Sequence, residues 1–299
     1  MPDPHSFRNH YREVLAKLDK GVIYGELSQG GHNMSSNSEH KLHVVGAGEV
    51  GSSLASQLAD SGEHVVVVTR SGKGPDHSNI EKVSVDAADY ETLVATVPRA
   101  AVIYNAVNSL YDKWPTDWPP IADSLLRYAE STGAVLVTCS NLYGLRASDF
   151  ICKGMGSRFG DRVIPNVLKG EKVQLLGGLD VLHSWSYPPD LARLMIVVGK
   201  DERAWGKAWH VPSNQPRTQR RVVQDITRAV EGSEIRIQAI PFALFYALGM
   251  FNALIRELRE TTYQFDRTFI MDDSAAREAF YFEPTPWNDV ITDLVTAYK

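Results

Sequence analysis

The sequence predicts an α/β fold built on a doubly wound parallel β-sheet. Runs of Val, Ile and Leu recur between residues 42 and 138 without alternating polar positions, which is typical of strands buried on both faces. Segments of helical character lie between these runs, and this order indicates a parallel sheet with crossover helices. A glycine-rich turn joins the first run to the first helical segment. These three observations define the predicted fold class.

Each predicted element has a local reason. The strands are apolar runs bounded by turn residues, and they cover residues 42–45, 64–68, 83–85, 101–104 and 134–138. The helices cover residues 53–58, 87–97 and 119–130. Because proline is accepted in the first turn of a helix, Pro119 and Pro120 mark the start of the third helix, and Gly133 marks its end.

Composition and charge exclude several classes of protein. Of the 299 residues, 43% are hydrophobic and 22% are charged, which excludes a chain that is disordered throughout, collagen-like or a coiled coil. The net charge is −5 and no run of Lys or Arg occurs, so we expect no nucleic-acid partner. Only Cys139 and Cys152 are present, which excludes a disulfide scaffold and favours a reducing, cytoplasmic location. We expect no metal site.

Two segments need separate interpretation. Residues 1–40 are predicted to be a disordered or dispensable leader, because residues 7–24 carry too many charges for a secretory signal and residues 28–40 are polar. Residues 239–255 carry no charge, but Pro241 and Asn252 interrupt them and their length is at the lower limit for a membrane span. We expect a buried or cleft-lining helix there and no membrane span.

A glycine motif follows the first predicted strand directly and opens the first helix. It contains Gly46, Gly48 and Gly51, with Glu49 and Val50 between the last two. In this setting Gly46 permits the tight turn, Gly48 lets the backbone approach a pyrophosphate, and Gly51 lets helix and strand pack closely. The N-terminus of the helix would supply N–H groups to the anion. The alternative is a tight turn that binds no ligand.

The end of the second strand indicates which dinucleotide would bind. An NAD site would place Asp or Glu there for the ribose 2′-hydroxyl, whereas this chain has Arg70 with Lys73 nearby. A guanidinium forms a planar fork that suits a 2′-phosphate, so NADP is favoured over NAD. The alternative is a solvated surface arginine. Asp86 and Ala87 follow the third strand, where an adenine would lie, and Asp86 has a second interpretation as a helix N-cap.

Several motifs occur in an order that resembles a known superfamily. They are residues 46–51, Arg70, Asp86-Ala87, residues 105–108, Tyr111 with Trp114, residues 118–120, 140–144, 146–150 and 186–192. From residue 42 to about residue 296 the sequence resembles the short-chain dehydrogenase/reductase superfamily. Within it, the sequence is similar to the atypical and extended branch called the NAD-dependent epimerase/dehydratase family. The spacing GxGxxG points to the atypical side.

The resemblance implies a domain organisation and a function. It implies a Rossmann domain, here residues 41–150, followed by a smaller, partly helical substrate-binding region, residues 151–299, that is interleaved with the sheet. It implies an NAD(P) cofactor with Asn105, Ala106 and Val107 along its nicotinamide half. It also implies a small-molecule substrate whose carbonyl or alcohol carbon reacts, for example a sugar nucleotide. A homodimer is compatible with this family.

The catalytic pair of the superfamily has no match in this chain. In the family a tyrosine exchanges a proton with the substrate oxygen, and a lysine four residues later on the same helix face lowers the pKa of the tyrosine. Here Tyr143 is followed four residues later by Ala147, and no tyrosine lies between Tyr143 and Lys169. Ser140 and Tyr143 remain as the catalytic candidates that would polarise a carbonyl.

The length of one connection explains this absence. Only residues 140–145 lie between Cys139, which ends the fifth predicted strand, and the segment 146–150, which resembles the sixth strand of the family. A parallel crossover needs about a dozen residues or more. The chain therefore resembles a family member without the active-site helix, and we expect exposed apolar surface on that face of the sheet.

Three other polar residues have structural interpretations. Asp190 precedes a helical segment and is interpreted as its N-cap. His183 is interpreted as a structural histidine, and Cys139 as a small buried residue at a strand end and not a nucleophile.

Three functions follow from these observations. The first is an NAD(P)-dependent oxidoreductase or epimerase/dehydratase, and the second is a non-catalytic NADP-binding sensor or pseudoenzyme. The third is a defective truncated form that folds poorly. The missing tyrosine–lysine pair leaves all three open.

Overall fold

The computed structural model describes residues 41–97, 99–109, 113–139, 145–154, 157–243, 246 and 262–299. The predicted leader lies outside these residues. The chain divides into two compact units. The first comprises the residues up to Arg146 together with Ala192–Ala208, and the second comprises Ala147–Leu191 and Trp209–Lys299.

A five-stranded parallel sheet forms the centre of the first unit. Its strands are β1 (Lys41–Val45), β2 (Val65–Thr69), β3 (Ile80–Ser84), β4 (Ala100–Asn105) and β5 (Val135–Thr138). Their order is β3-β2-β1-β4-β5, and all four neighbouring pairs are parallel. The winding reverses between β1 and β4, and sheets of this kind bind ligands at the carboxyl ends of the strands beside such a reversal.

Helices cover both faces of this sheet. In the first unit they are α1 (Glu49–Asp60), α2 (Tyr90–Thr96) and α3 (Trp114–Thr132). Leu93 of α2 and Leu125 of α3 belong to one buried cluster with Ile103 of β4. The next residue along β4, Tyr104, points to the opposite face and contacts Gly199. The predicted doubly wound α/β sheet is therefore confirmed.

The predicted elements have the right type and order, but several of their bounds differ. Helix α1 begins at Glu49, four residues earlier than predicted. Helix α3 begins at Trp114, so Pro119 and Pro120 lie inside it and do not mark its start as predicted. Helix α2 begins three residues later than predicted because Asp89 is its N-cap, and the Asp89 carboxylate accepts a hydrogen bond from the Thr92 amide at 3.1 Å. Strand β3 extends from Ile80 to Ser84 and includes exposed Glu81 and Lys82, which hid it from a search for apolar runs. Helix α3 ends as predicted at Gly133, which adopts a φ of +73°.

The far edge of the sheet is less covered than its centre. Only Val137 of β5 is buried, whereas its other side chains are half-buried and the valines of β2 are fully buried. Cys139 forms an isolated parallel bridge with Leu145, the first residue of the two-residue strand β6 (Leu145–Arg146). Only residues 140–144 separate them, which is too short for a crossover helix. The connection between β5 and β6 is therefore too short to hold the active-site helix, as the sequence predicts.

The second unit is partly helical, as predicted. Its helices are α4 (Ile164–Leu168), the start of α5 (Pro188–Lys200), α6 (Gln219–Ala229), α7 (Tyr263–Asp266), α8 (Ser274–Phe280) and α9 (Trp287–Thr296). Its strands are β7 (Val173–Leu176), β8 (Leu182–His183), β9 (Trp209–His210), β10 (Arg217–Thr218) and β11 (Ile237–Ile240). Strands β7 and β11 pair in parallel, and β8 and β10 pair antiparallel.

The core of the second unit lies between α6 and α9. Val222 and Ile226 on α6 pack in one cluster with Ile291 and Leu294 on α9. The indole N–H of Trp287 donates a hydrogen bond to Asp225 at 3.0 Å, which joins the two helices through a polar contact inside this core.

The apolar segment 239–255 lies mostly outside the described residues. Its first two residues, Ala239 and Ile240, belong to strand β11. Among the residues that the structure describes, no helix is long and apolar enough to cross a membrane.

Candidate functional site

The glycine motif forms the turn between β1 and α1. Gly46 has a φ of +94°, which favours glycine, and its amide donates a hydrogen bond to the carbonyl oxygen of Val68 at 2.9 Å. A Cβ atom at Gly46 would lie 2.9 Å from the backbone of Ala106 and Val107. Gly46 is therefore required both by its backbone angle and by the close approach of the chain that leaves β4.

The other two glycines differ in what surrounds them. A Cβ atom at Gly51 would lie 2.0 Å from the carbonyl oxygen of Gly46. The backbone of helix α1 therefore packs directly on the backbone of the turn, with no room for a side chain at Gly51. Gly48 is the N-cap residue of α1 and is exposed, and nothing lies within 4 Å of its Cβ position. The open space at Gly48 adjoins the N-terminus of α1, where backbone N–H groups and the helix dipole favour an anion.

The side chains of the motif point in different directions. Glu49 is exposed, and Val50 is buried at 7% exposure as part of the inner face of α1. Val50 therefore anchors the helix to the sheet, while Glu49 faces solvent beside the open space at Gly48.

The end of β4 lies beside the glycine turn. The Ala106 amide donates a hydrogen bond to the carbonyl oxygen of Val45 at 2.8 Å. Asn105 is buried, and its side-chain oxygen accepts a hydrogen bond from the Val107 amide at 3.2 Å. These bonds fix the turn at residues 105–107 next to Gly46, so the structure brings these two predicted groups of site residues together.

Arg70 occupies the carboxyl end of the neighbouring strand β2. The Thr69 hydroxyl donates to the carbonyl oxygen of Lys73 at 3.0 Å, and the Gly72 amide donates to the carbonyl oxygen of Thr69 at 3.3 Å. The Ser84 hydroxyl donates to the carbonyl oxygen of Arg70 at 2.9 Å. These contacts hold the backbone of the loop, while the side chains of Arg70 and Lys73 are exposed.

Thr69 and Ser84 were missed by the sequence analysis, although their residue types carry a signal. Short hydroxyl side chains at the ends of two strands often bond to nearby backbone groups and fix a loop. Here they hold the backbone of the loop that presents Arg70.

Asp86 and Ala87 form part of the turn after β3. The Asp86 carboxylate accepts a hydrogen bond from the Ala88 amide at 3.0 Å, and its side chain is otherwise exposed. Ala87 is buried. The interpretation of Asp86 as a helix N-cap is wrong because Asp89 has that position. Asp86 instead closes a short turn that directs the chain into α2.

The two catalytic candidates, Ser140 and Tyr143, lie outside the described residues. Cys139, directly before them, is described, and it is half-buried and not fully buried as predicted. Removal of its surroundings from water raises the pKa of its thiol to about 12. A thiol with such a pKa is almost fully protonated near neutral pH, which agrees with its interpretation as a residue that is not a nucleophile.

Asp190 and His183 have structural contacts in the second unit. Asp190 lies inside the first turn of α5 and is not its N-cap, contrary to the prediction. Its buried carboxylate accepts hydrogen bonds from the amide of Thr285 at 2.9 Å and from its hydroxyl at 2.6 Å. His183 is 1% exposed and is hydrogen-bonded at both ring nitrogens, in agreement with its structural interpretation.

Among the described residues, no group of three or more His, Cys, Asp or Glu side chains is arranged to hold a metal ion.

Comparison with known proteins shows that the chain has a Rossmann-type fold. The model of a family described as "NADP oxidoreductase coenzyme F420-dependent" matches residues 41–141, which contain β1 to β5 and the glycine motif. A search of curated proteins found no match.

Solved structures resemble nearly the whole chain. The epimerase Mth375 from Methanothermobacter thermautotrophicus has a TM-score of 0.69 and 14% identity, with 94% of each chain covered. A GalE-like L-threonine dehydrogenase from Cupriavidus necator has a TM-score of 0.62 and 15% identity, covering 87% of this chain and 100% of the other. A dTDP-glucose 4,6-dehydratase from Bacillus anthracis, solved with NAD, has a TM-score of 0.60 and 16% identity, covering 87% and 96%. The predicted resemblance to the epimerase/dehydratase family is therefore confirmed at the level of the fold.

Proposed function

We propose that this protein binds NADP at the carboxyl edge of the sheet in the first unit. We further propose that it is an NAD(P)-dependent oxidoreductase or epimerase/dehydratase that acts on a carbonyl or alcohol carbon of a small molecule. The observation that carries the proposal is the contrast between the three glycines of the motif. At Gly46 and Gly51 a Cβ atom would lie within 2.9 Å of backbone atoms, so neither position has room for a side chain. At Gly48 the Cβ position faces open space at the start of α1.

This contrast supports a dinucleotide in particular. The packing of Gly46 and Gly51 brings the turn, β4 and the first turn of α1 close together, and this packing leaves the Gly48 backbone accessible. A pyrophosphate would fit there, held by backbone N–H groups of residues 48–51. Asn105, Ala106 and Val107 would then line the nicotinamide half, and Asp86 with Ala87 would lie near the adenine.

The loop after β2 supports NADP over NAD. An NAD-binding chain would carry a carboxylate at the end of this strand, and here the exposed guanidinium of Arg70 stands in its place, with exposed Lys73 on the same loop. Because the Thr69 and Ser84 hydroxyls fix the loop, the backbone of Arg70 is already ordered. Binding a 2′-phosphate would therefore cost less conformational entropy than it would from a mobile loop.

The proposed catalytic roles rest on the short connection after β5. A bound nicotinamide would supply or accept the hydride. Cys139 lies at the same edge of the sheet as Asn105, since its amide donates a hydrogen bond to the Asn105 carbonyl oxygen at 2.9 Å. Ser140 and Tyr143 come after Cys139 in the sequence, and we propose that one of them donates a hydrogen bond to the substrate oxygen. We propose that the second unit, broadly residues 151–299, holds the substrate.

A second function is favoured by the same short connection. Only residues 140–144 separate Cys139 from Leu145, so the family's tyrosine–lysine helix has no room there. A protein with the cofactor site and without this pair would act as a non-catalytic NADP-binding sensor.

Thermal unfolding with added ligand tests the binding proposal. A ligand that binds only the folded state raises the unfolding midpoint, and at about 100 times its Kd it adds about 2.7 kcal/mol of stability. We expect a larger shift with NADPH than with NADH. Reduced coenzyme F420 is a third ligand in the experiment because the matching family model carries that name. A cooperative transition that none of the three ligands shifts would contradict the proposal.

The matched variant is Gly48→Val. Its side chain would enter space that no protein atom occupies, so the midpoint without ligand should stay close to that of the wild type. The shift with NADPH should disappear, because the backbone no longer reaches the pyrophosphate. A variant that keeps the full NADPH shift would place the dinucleotide elsewhere.

Turnover separates the two functions. The wild type and the variants Ser140→Ala and Tyr143→Phe are assayed for NADPH oxidation with a panel of aldehydes and ketones. Turnover that one of these substitutions lowers by tenfold or more supports the enzyme. NADPH binding without any turnover supports the sensor.

A further inference from the structure

A groove lies beside helix α6 in the second unit. Val222 and Ile226 on one side of α6 are buried in the core, and after the helix the chain returns past another side through residues 232–237. The Gly232 amide donates a hydrogen bond to the carbonyl oxygen of Thr227 at 3.0 Å, which fixes the start of this return. The groove between the helix and the returning segment has a volume of about 430 Å³. This volume is within the range of sites that bind small molecules.

The two walls of the groove differ in chemistry. Arg220, Gln224 and Arg228 line the helical wall. They are spaced four residues apart, so they share one face of α6 at intervals of about 6 Å along its axis. Ile235 and Ile237 line the facing wall, and both are half-buried. A molecule in the groove therefore meets guanidinium and amide groups on one side and apolar side chains on the other.

The two arginines differ in what binds their guanidinium groups. The Nε and Nη2 atoms of Arg220 donate to the two carboxylate oxygens of Asp180, at 2.7 and 2.9 Å. Arg228 contacts Asp225 through Nη1, at 3.1 Å. Its Nε and Nη2 atoms have no hydrogen-bond partner among the described residues, and its side chain is 64% exposed. The pair of N–H groups that binds a carboxylate in Arg220 is therefore available to a ligand in Arg228.

Asp225 is shared among three cations and neutralises none of them completely. Its side chain is 8% exposed, and nitrogens of Arg228, Arg221 and Arg217 lie 3.1, 3.3 and 3.5 Å from its oxygens. It also accepts the hydrogen bond from the Trp287 indole. Within this cluster one negative charge faces three positive charges. An anion bound to Arg228 would add a second negative charge and offset the repulsion among the cations.

We propose that this groove is a second ligand site, which binds a small organic anion with a carboxylate or phosphate group on an apolar body. The Nε and Nη2 atoms of Arg228 hold two oxygens of the anionic group, in the bidentate geometry that suits both chemistries. The side-chain amide of Gln224 donates to the same group, and Ile235 and Ile237 contact the apolar body. The site does not depend on the proposed cofactor site, because all of its residues lie in the second unit.

Glu234 gives the proposal a second, opposite sign. Among the described residues that line the groove, Glu234 carries the only carboxylate, and it is exposed. Its negative charge repels any anion in the groove. Removal of this charge should therefore strengthen binding, whereas removal of the Arg228 charge should weaken it. Side chains that only stabilise the fold would leave binding unchanged in both cases.

NMR titration of the full chain with small probes tests the site directly. Phenyl phosphate and benzoate carry the two anionic groups on the same ring, and benzyl alcohol is the neutral probe of similar size. The side-chain N–H signals of Arg228 and Gln224 are followed, and that of Arg228 is assigned by its loss in Arg228→Gln. We expect saturable shifts of both signals with at least one anion and none with benzyl alcohol. The anion with the lower Kd identifies the preferred group. Unchanged signals with both anions would overturn the proposal.

Substitutions at the two ends of the groove test the roles of the charges. Arg228→Gln should raise the Kd of the preferred anion by about tenfold or more, and it should still fold because Asp225 keeps its other partners. Arg228→Lys keeps the charge without the planar pair of N–H groups and should raise the Kd by about threefold or more. Glu234→Gln should lower the Kd by about twofold or more.

Arg236→Gln is the matched control. Arg236 is exposed and lies between Ile235 and Ile237 in the sequence, but it does not line the groove. Its substitution removes the same charge as Arg228→Gln and should change the Kd by less than about twofold. Equal losses in the two variants would reduce the effect to general attraction of anions and contradict the site.

A titration in the presence of NADPH separates the groove from the proposed cofactor site. With NADPH in excess, the Kd of the preferred anion and the shifts at Arg228 and Gln224 should stay the same. Displacement of the probe from these two side chains by NADPH would overturn the assignment of a second site. A protein that does not bind NADPH would contradict the proposed function only, because the titration without NADPH still tests the groove.

Discussion

The carbonyl oxygen of Gly46 lies 2.0 Å from the position that a Cβ atom at Gly51 would take. The first and third glycines of the motif therefore contact each other, and the second faces outward. This relationship explains why a glycine motif is needed even before a ligand binds. The turn closes only if its two outer positions lack side chains.

Substitution of Gly51 should destabilise the protein far more than substitution of Gly48. Gly51→Ala forces a methyl group into backbone, so we expect the free energy of unfolding to fall by about 3 kcal/mol or more. Gly48→Ala adds a methyl group in open space and should change it by less than about 1 kcal/mol. Urea unfolding of both variants measures the difference. Equal losses would show that Gly48 also packs against protein.

The identity of Arg70 should determine which dinucleotide is preferred. Arg70→Asp replaces the fork that suits a 2′-phosphate with a carboxylate that suits a 2′-hydroxyl. We expect the ratio of the Kd values for NADH and NADPH to change in favour of NADH by about tenfold or more, measured by calorimetry. An unchanged ratio would remove Arg70 from the site.

Arg236→Asp is the matched control for this substitution. Arg236 is exposed in the second unit and its replacement changes the net charge by the same amount. It should leave both dissociation constants unchanged. A similar effect of both substitutions would indicate a general effect of charge on binding.

The sequence predicted the parts of this molecule that depend on local patterns. Apolar runs identified β1, β2, β4 and β5, because strands buried on both faces have few polar residues. The pattern did not place β3 correctly, since three of its five residues are exposed. Spacing predicted the glycine turn and the position of Arg70, because each follows the end of its strand directly in the sequence.

Contacts between residues that are far apart in the sequence could not be predicted from local patterns. Asp190 was interpreted as an N-cap because an acidic residue before a helical pattern usually is one. Its partner, Thr285, lies 95 residues later. His183, Asp149 and Gln264 likewise come from three separate segments, and no local spacing brings them together.

Cys139 should be unreactive in the folded protein. Burial raises the pKa of its thiol to about 12, so the reactive thiolate is scarce until the solution is strongly alkaline. We expect alkylation by iodoacetamide at pH 8 to be at least about a hundredfold slower at Cys139 than at a free cysteine of pKa near 8.5. Mass spectrometry of the digested protein measures it, with urea-unfolded protein as the control. Rapid modification in the folded state would show that the strand end opens.

The bond between Asp190 and Thr285 should stabilise the second unit. Asp190→Ala leaves the amide and hydroxyl of Thr285 without their acceptor, and we expect a loss of about 2–3 kcal/mol in the free energy of unfolding. Thr285→Val removes only the hydroxyl bond and should lose about 1 kcal/mol, while Thr285→Ser should keep most of the stability. Denaturant unfolding compares the three. A larger loss in Thr285→Val than in Asp190→Ala would contradict this account.

Tyr104 and Gly199 should be coupled in stability. Tyr104 is fully buried, its hydroxyl has no hydrogen-bond partner among the described residues, and burial raises the pKa of this phenol. Tyr104→Phe removes a buried polar group that makes no bond, so we expect a gain of about 1 kcal/mol in the free energy of unfolding. A Cβ atom at Gly199 would lie 2.6 Å from the Tyr104 hydroxyl oxygen and 3.0 Å from Cε1, so Gly199→Ala should cost about 2 kcal/mol.

The double variant separates contact from local effects at each position. Because the hydroxyl oxygen is the nearest atom to the new methyl group, Tyr104→Phe should reduce the cost of Gly199→Ala by about 1 kcal/mol. Urea unfolding of the wild type, both single variants and the double variant completes the cycle. Additive effects would mean that α5 moves away from β4 when Gly199 is replaced. The loss of stability in Gly199→Ala would then come from the helix itself and not from its contact with Tyr104.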